Sequence, residues 1–113
     1  MQVIIAGGRD YHNYETLLEA IAASQFDITT VVSGGAKGVD ALGERYADEM
    51  NKTLNVFEAD WETHGRAAGP IRNRKMSENA EALIAIWDGQ SRGTKNMIET
   101  ATKKGLRVYV HRV

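Results

Sequence analysis

Cysteine is absent from this chain of 113 residues. Disulfides and thiolate zinc sites are thereby excluded, and a reducing compartment is allowed. The three histidines, His12, His64 and His111, are far apart in sequence and form no metal-binding pair. No acidic cluster has the spacing of a cation site, so neither a metal nor a cofactor is expected. Proline occurs once, at Pro70. Charge of one sign is not in excess: the formal net charge is −1, which gives no global field to recruit nucleic acid or anionic lipid. No apolar run is long enough to span a membrane. The chain enters strand-like sequence almost at once, leaving no room for a signal peptide, and a cytoplasmic protein is expected.

What is present is an alternation. The length suits one domain over residues 1–113. Val3-Ile4-Ile5-Ala6, Thr30-Val31-Val32, Leu54-Asn55-Val56-Phe57, Ala82 to Trp87 and Leu106 to Val110 read as strands. The longest, Ala82 to Trp87, is expected at the centre of the sheet. Tyr14, Leu17, Leu18, Ile21 and Ala22 recur at helical spacing after Asn13, a cap residue. Val39, Leu42, Tyr46, Ala47 and Met50 trace a second helical face. Asp60 to Gly69 has no periodicity and reads as a loop, and Pro70 suits the first position of the helix that follows. Thr94 to Lys104 reads as a last helix, stopped by Gly105. Buried strands alternating with helices imply an α/β protein, a three-layer Rossmann-like fold on a five-stranded, mainly parallel sheet with right-handed crossovers. Ligands of such sheets lie beyond the carboxyl ends of the strands.

Three glycine clusters follow strands: Gly7-Gly8-Arg9-Asp10, Ser33-Gly34-Gly35-Ala36-Lys37-Gly38 and Asp88-Gly89-Gln90-Ser91-Arg92-Gly93-Thr94. A strand, a glycine turn and a helix start aim backbone N–H groups at an anion. Arg9 suits a bidentate phosphate contact, Asp10 a ribose hydroxyl and Tyr11 a base. Ser33 and Lys37 offer a hydroxyl and a charge, and Asp40 caps or orients their loop. The plainer reading of these glycines is a tight turn with close helix–sheet packing. The second cluster is neither a Walker A loop nor a GxGxxG fingerprint. Asp88 stands where it can hold a ribose, and Thr94 is a cap or a phosphate-binding hydroxyl. Gly69-Pro70-Ile71-Arg72-Asn73-Arg74-Lys75-Met76 places three cations at an expected helix start, a conflict with the dipole that a bound anion removes. Arg72 and Arg74 cannot share a helical face. Arg72 is the expected phosphate ligand, with Met76 packed beneath it. Trp61, His64 and Arg66 lie where a lid would be; Trp61 stacks on a base or fills a gap in the core, and catalysis by His64 is not expected.

As a set, the Gly7-Gly8-Arg9-Asp10-Tyr11 opening, Val32 to Asp40, Gly69 to Met76, and Trp87-Asp88-Gly89 with Ser91-Arg92-Gly93-Thr94 resemble the SLOG superfamily of Rossmann-like proteins. That superfamily includes the Lonely Guy phosphoribohydrolases and the DNA-processing protein A domain. The chain is most similar to the YspA-related single-domain branch found in bacteria and phages. The resemblance spans nearly the whole chain and implies a nucleotide or nucleotide-derived ligand at the glycine rim, held by Gly7, Gly8, Arg9, Asp10, Ser33, Gly34, Gly35, Lys37, Gly38, Asp40, Arg72, Asn73, Asp88, Ser91, Gly93 and Thr94. It also implies a homo-oligomer, and the exposed side of a helix such as Val39 to Met50 is a surface that could supply an interface. The phosphoribohydrolases carry a catalytic Glu three residues after their Gly-Thr pair; here Met97 stands in its place.

Three functions follow as expectations. The first is a sensor or sequestering module for a nucleotide-derived ligand, such as an ADP-ribose-like molecule or a cyclic nucleotide signal. The second is a hydrolase cleaving an N-glycosidic or phosphoester bond, with Asp10, Asp88 or Glu99 as a displaced carboxylate. The third is a nucleic-acid binder using Arg66, Arg72, Arg74 and Lys75, against which the near-zero net charge argues.

Overall fold

The strands are the short aliphatic runs, and each but the last is followed by a connection that leads into a helix. The computed structural model describes residues 1–113. In chain order the elements are β1 (Gln2–Gly7), α1 (Tyr14–Ser24), β2 (Thr30–Ser33), α2 (Val39–Glu49), β3 (Thr53–Val56), α3 (Trp61–His64), a 3₁₀ turn (Gly65–Ala67), α4 (Ala68–Glu78), β4 (Ala82–Trp87), α5 (Arg92–Lys104) and β5 (Arg107–Arg112). All strand pairs are parallel, in the order β3-β2-β1-β4-β5. The sheet lies between two helical layers, which makes this an α/β Rossmann-like fold.

Right-handed crossovers explain the layers. The chain steps from β1 to β2 to β3 in one direction, so α1 and α2 cover one face. It then returns past β1 to β4 and β5, which puts α4 and α5 on the other face. Strand alternation divides the core accordingly. Val3, Ile5, Val31, Ile84 and Ile86 pack with Leu17, Ala20, Val39 and Ala47. Ile4, Ala6, Val32, Leu83 and Ala85 pack with Met76, Met97 and Ala101. Because β1 and β4 are covered on both faces, their sequences show no alternation.

Four expectations need correction. The middle strand is β1 and not Ala82 to Trp87. Both are buried and paired along both edges, so the length of the apolar run does not distinguish them. Asp60 to Gly69 is not a loop but α3, the 3₁₀ turn and the start of α4. Neither α3 nor the 3₁₀ turn buries a residue, so neither leaves an apolar period. Asp60 starts α3 by accepting from the Thr63 N–H at 3.2 Å. Pro70 is the third residue of α4, a position still free of the intrahelical N–H requirement. Finally, α5 begins at Arg92, because Ser91 and not Thr94 is its cap.

Candidate functional site

The strand order reverses between β1 and β4, and a crevice opens beyond their carboxyl ends. It is a cleft of about 830 Å³. The turn after β1 contributes Gly7, Gly8, Arg9, Asp10 and Tyr11. The turn after β4 and the start of α5 contribute Asp88, Gln90, Ser91, Arg92, Gly93 and Thr94. Trp61 and Arg66 form one wall, with Arg72 and Asn73 from α4 and Asp40 from α2 deeper in.

Each turn is held by its own side chains. Asp88 Oδ1 accepts from the N–H groups of Gln90 and Ser91, both at 2.8 Å. Those two bonds, Ser91 first, hold its carboxyl below the usual carboxylate range. Ser91 Oγ accepts from the Thr94 N–H at 3.4 Å and lies 3.0 Å from Thr94 Oγ1. The N–H groups of Arg92 and Gly93 have no partner within the protein. They stand at the positive end of a 13-residue helix whose first turn holds no acid. Arg9 lies 5.6 Å from the centroid of the Trp61 ring. Trp61 is 48% exposed, so it fills no gap in the core and presents a face to the cleft.

The β2 turn is arranged differently. The Gly35 N–H donates to Ser33 Oγ at 3.1 Å, the Ala36 N–H to Asp40 Oδ2 at 3.1 Å, and the Val39 N–H to the Gly8 carbonyl at 3.1 Å. Ser33 Oγ itself donates to Glu44 at 2.8 Å. Of this loop only Ala36 reaches the cleft wall; Ser33, Gly34, Gly35, Lys37 and Gly38 do not. The reason is topological, since β2 is one strand removed from the reversal point. Gly34 and Gly38 stand in close contacts in this turn. A Cβ on Gly38 (φ +75°) would meet the Gly8 and Arg9 carbonyls, and one on Gly34 would meet Arg72 and Asp40.

Behind the cleft a polar chain ties α5, α4 and the turn after β2 together. Asn96 Oδ1 accepts from Asn73 Nδ2 at 2.8 Å, and Asn73 Oδ1 accepts from Arg72 Nε at 2.9 Å. Arg72 Nη1 donates to the Gly34 carbonyl at 2.7 Å. Arg72 thus braces the β2 turn through Nη1, holds Asn73 through Nε, and leaves the rest of its donors for the cleft. Burial lowers its pKa, against the pull of Asp40. Asp40 is 6% exposed, and burial raises its pKa although the Ala36 N–H and Arg72 both favour the carboxylate. The expected dipole conflict at α4 dissolves: Arg72 and Arg74 lie past the first turn, and Lys75 is in the last turn, where a cation is favoured. Arg74 indeed faces away from Arg72, into a separate groove.

His64 and Glu99 are exposed and off the cleft wall, and Met97, in the place of the phosphoribohydrolase Glu, is buried beneath it. Arg92, Gln90 and Asn96 line the cleft without having been singled out in the sequence. For Arg92 a signal existed, a cation at the first position of a helix.

A family model described as YspA, cpYpsA-related SLOG family matches residues 1–64. The chain is also 34% identical to the Gene 61 protein of Mycobacterium phage D29, over 95% of this chain and 93% of that one. No solved structure matches it. A family match that covers the β1 and β2 turns, with a relative aligned nearly end to end, establishes that the chain belongs to the YspA, cpYpsA-related SLOG family.

Proposed function

We propose that the protein is a single-domain binding module for a nucleotide or a nucleotide-derived ligand, acting as a sensor or a sequestering protein in the cytoplasm. The observation that carries this reading is the shared cleft at the β1/β4 reversal. It combines free helix-start amides, four arginines (Arg9, Arg66, Arg72 and Arg92) and an exposed indole face. Amides and guanidinium groups suit a phosphoryl group. The indole suits a base, and the volume lies in the range of small-molecule sites. SLOG membership supports a nucleotide-related ligand at this coarse level. The homo-oligomer expected of such proteins is proposed to use the open β3 edge of the sheet.

Calorimetry of the full chain against AMP, ADP-ribose and cyclic nucleotides tests the reading. At least one is expected to bind, and Arg9→Ala to weaken it roughly tenfold, the worth of one charge-assisted hydrogen bond. An absence of binding across the panel ends the proposal.

Asp40 favours a second reading, hydrolysis of an N-glycosidic or phosphoester bond. It is a buried acid on the cleft wall with a raised pKa, as a general acid requires. Glu99, exposed and outside the cleft, is not needed for it. Turnover of nucleoside monophosphates that disappears in Asp40→Asn is the expected result under this reading; no turnover by the wild-type chain rejects it.

A further inference from the structure

Two side chains of the cleft wall meet across a gap. The Arg9 guanidinium stands 5.6 Å from the centroid of the Trp61 ring, and both residues line the cleft. The Arg45–Tyr14 pair, between α2 and α1, shows the closed form of such a contact at 3.9 Å. Arg112 and Trp87 are 5.4 Å apart, but neither lines the cleft, and the Trp87 Nε1 donates to the Ser91 carbonyl at 3.1 Å. Trp61 has no such tether. The Arg9 guanidinium is likewise without an ion pair, the close pair of this chain being Arg45–Glu49.

The two groups are held to different degrees. The backbone of Arg9 packs closely on Gly38, and the neighbouring Gly8 carbonyl accepts from the Val39 N–H at 3.1 Å. Trp61 instead opens a stretch, Trp61 to Ala67, in which every residue is exposed. The bonds that shape this stretch are local: the Thr63 N–H donates to Asp60 Oδ1, the His64 N–H to the Asp60 carbonyl and the Gly65 N–H to the Trp61 carbonyl. No side-chain hydrogen bond or ion pair ties it to the sheet or to α5. Its indole leans on α4 by an edge: a Cβ on Gly69 would lie 3.4 Å from Trp61 Cη2. One plate is therefore fixed and the other is free to move.

We propose that Arg9 and Trp61 form a clamp for a planar heteroaromatic base, which enters between them as α3 moves outward. Contacts of about 3.5 Å on each side of an inserted ring put the outer layers about 7 Å apart, so a movement of about 2 Å by the indole admits it. A guanidinium stacks through its face and donates through its edge. Arg9 can thus cover the base and still offer in-plane N–H groups to a phosphoryl group one sugar away. The inference rests on the nucleotide reading of the cleft and names what selects the ligand: a nucleoside phosphate with an uncovered base, in preference to a sugar phosphate.

Calorimetry of the full chain with AMP and with ribose 5-phosphate tests the clamp. AMP is expected to bind at least about tenfold tighter, the worth of one base–aromatic stack. Trp61→Ala is expected to remove that gain and leave ribose 5-phosphate binding unchanged, and Trp61→Phe to keep most of it. Arg9→Lys, which retains the charge and loses the plane, is expected to weaken AMP more than ribose 5-phosphate. AMP is also expected to quench tryptophan emission in the wild type and not in Trp61→Phe, and ribose 5-phosphate in neither. Equal affinities for the two ligands, or a Trp61→Ala variant that binds AMP like the wild type, overturn the clamp and leave a phosphoryl site standing. Loss of both ligands alike in Trp61→Ala reduces Trp61 to a packing role and also overturns it. Binding of ADP-ribose but not AMP rejects the clamp and keeps the nucleotide reading. Adenosine bound as tightly as AMP, with the same dependence on Trp61, sustains the clamp and rejects the phosphoryl part of that reading. Binding of none of these ligands rejects both.

Discussion

Gly38 and Gly105 separate the two costs a glycine can avoid. Both have positive φ, +75° and +87°. A Cβ on Gly105 meets nothing within 4 Å, whereas one on Gly38 would press into the backbone of Gly8 and Arg9. Gly105→Ala is expected to cost about 1 kcal/mol, the strain of a left-handed residue alone. Gly38→Ala adds an overlap with backbone that cannot rotate away, and more than about 3 kcal/mol is expected. Thermal melts of the two variants check the difference: the Gly38 variant should melt well over 10 °C below the wild type. Asp40 gives a pH-dependent counterpart. Burial raises its native pKa above the ordinary value of 3.8. Such an acid stabilises the fold fully below the unfolded-state pKa and loses that contribution as pH rises through the native value. The stability of the wild type relative to Asp40→Asn should therefore decline from about pH 4 upward and level off once Asp40 is ionised in the native state. Denaturant midpoints across that range measure it, and a difference that stays flat refutes the burial argument.

At the level of elements, α5 carries the cleft's free amides, and Ser91 decides where it begins. Ser91→Ala is expected to cost about 1 kcal/mol, the usual loss of a cap, and to fray the turn that holds Arg92 and Gly93 in place. A lowered melting temperature together with faster amide exchange at Thr94 is the signature to look for. The boundaries of α1 were legible because Asn13 and the apolar spacing agree. The end of α5 at Gly105 was equally legible, but its start slipped by two residues because Ser91 and Thr94 are both competent caps. Two features lay out of reach: α3 has no buried face to impose a period, and strand order depends on contacts distant in sequence. The second of these also governs the site. The β1 and β4 turns could be recognised and do meet at one cleft. The β2 turn is as rich in glycine but sits one strand away, and its Gly35, Ala36 and Val39 amides are taken up by Ser33, Asp40 and Gly8. Asn73 stands within the Gly69 to Met76 motif, whereas Asn96 carries none; their pairing as a brace follows only from α4 and α5 lying side by side.

At the scale of the whole molecule, the sheet has two edges with opposite character. The β5 edge carries Arg107, His111 and Arg112, charges and a titratable ring of the kind that discourage strand pairing. The β3 edge, Thr53-Leu54-Asn55-Val56, has neither charge nor proline and is exposed at every residue. Its register with β2 puts Leu54 and Val56 on the face shared with α2, beside the end of that helix. Leu54 is 37% exposed, Val56 44% and Met50, just past α2, 49%. A short, flat, uncharged edge with apolar flanks is a template for another strand, and the simplest partner is a second copy related by a two-fold axis, β3 against β3. The chain is therefore expected to be a dimer by light scattering at micromolar concentration. Val56→Lys places a charge on that edge and should give a monomer with an unchanged melting curve once the dimer contribution is accounted for by dilution. The cleft opens at the β1/β4 reversal, two strands from this edge, so the monomeric variant should keep its nucleotide affinity. A wild-type chain that is monomeric at high concentration would show instead that the β3 edge is protected by its shortness alone.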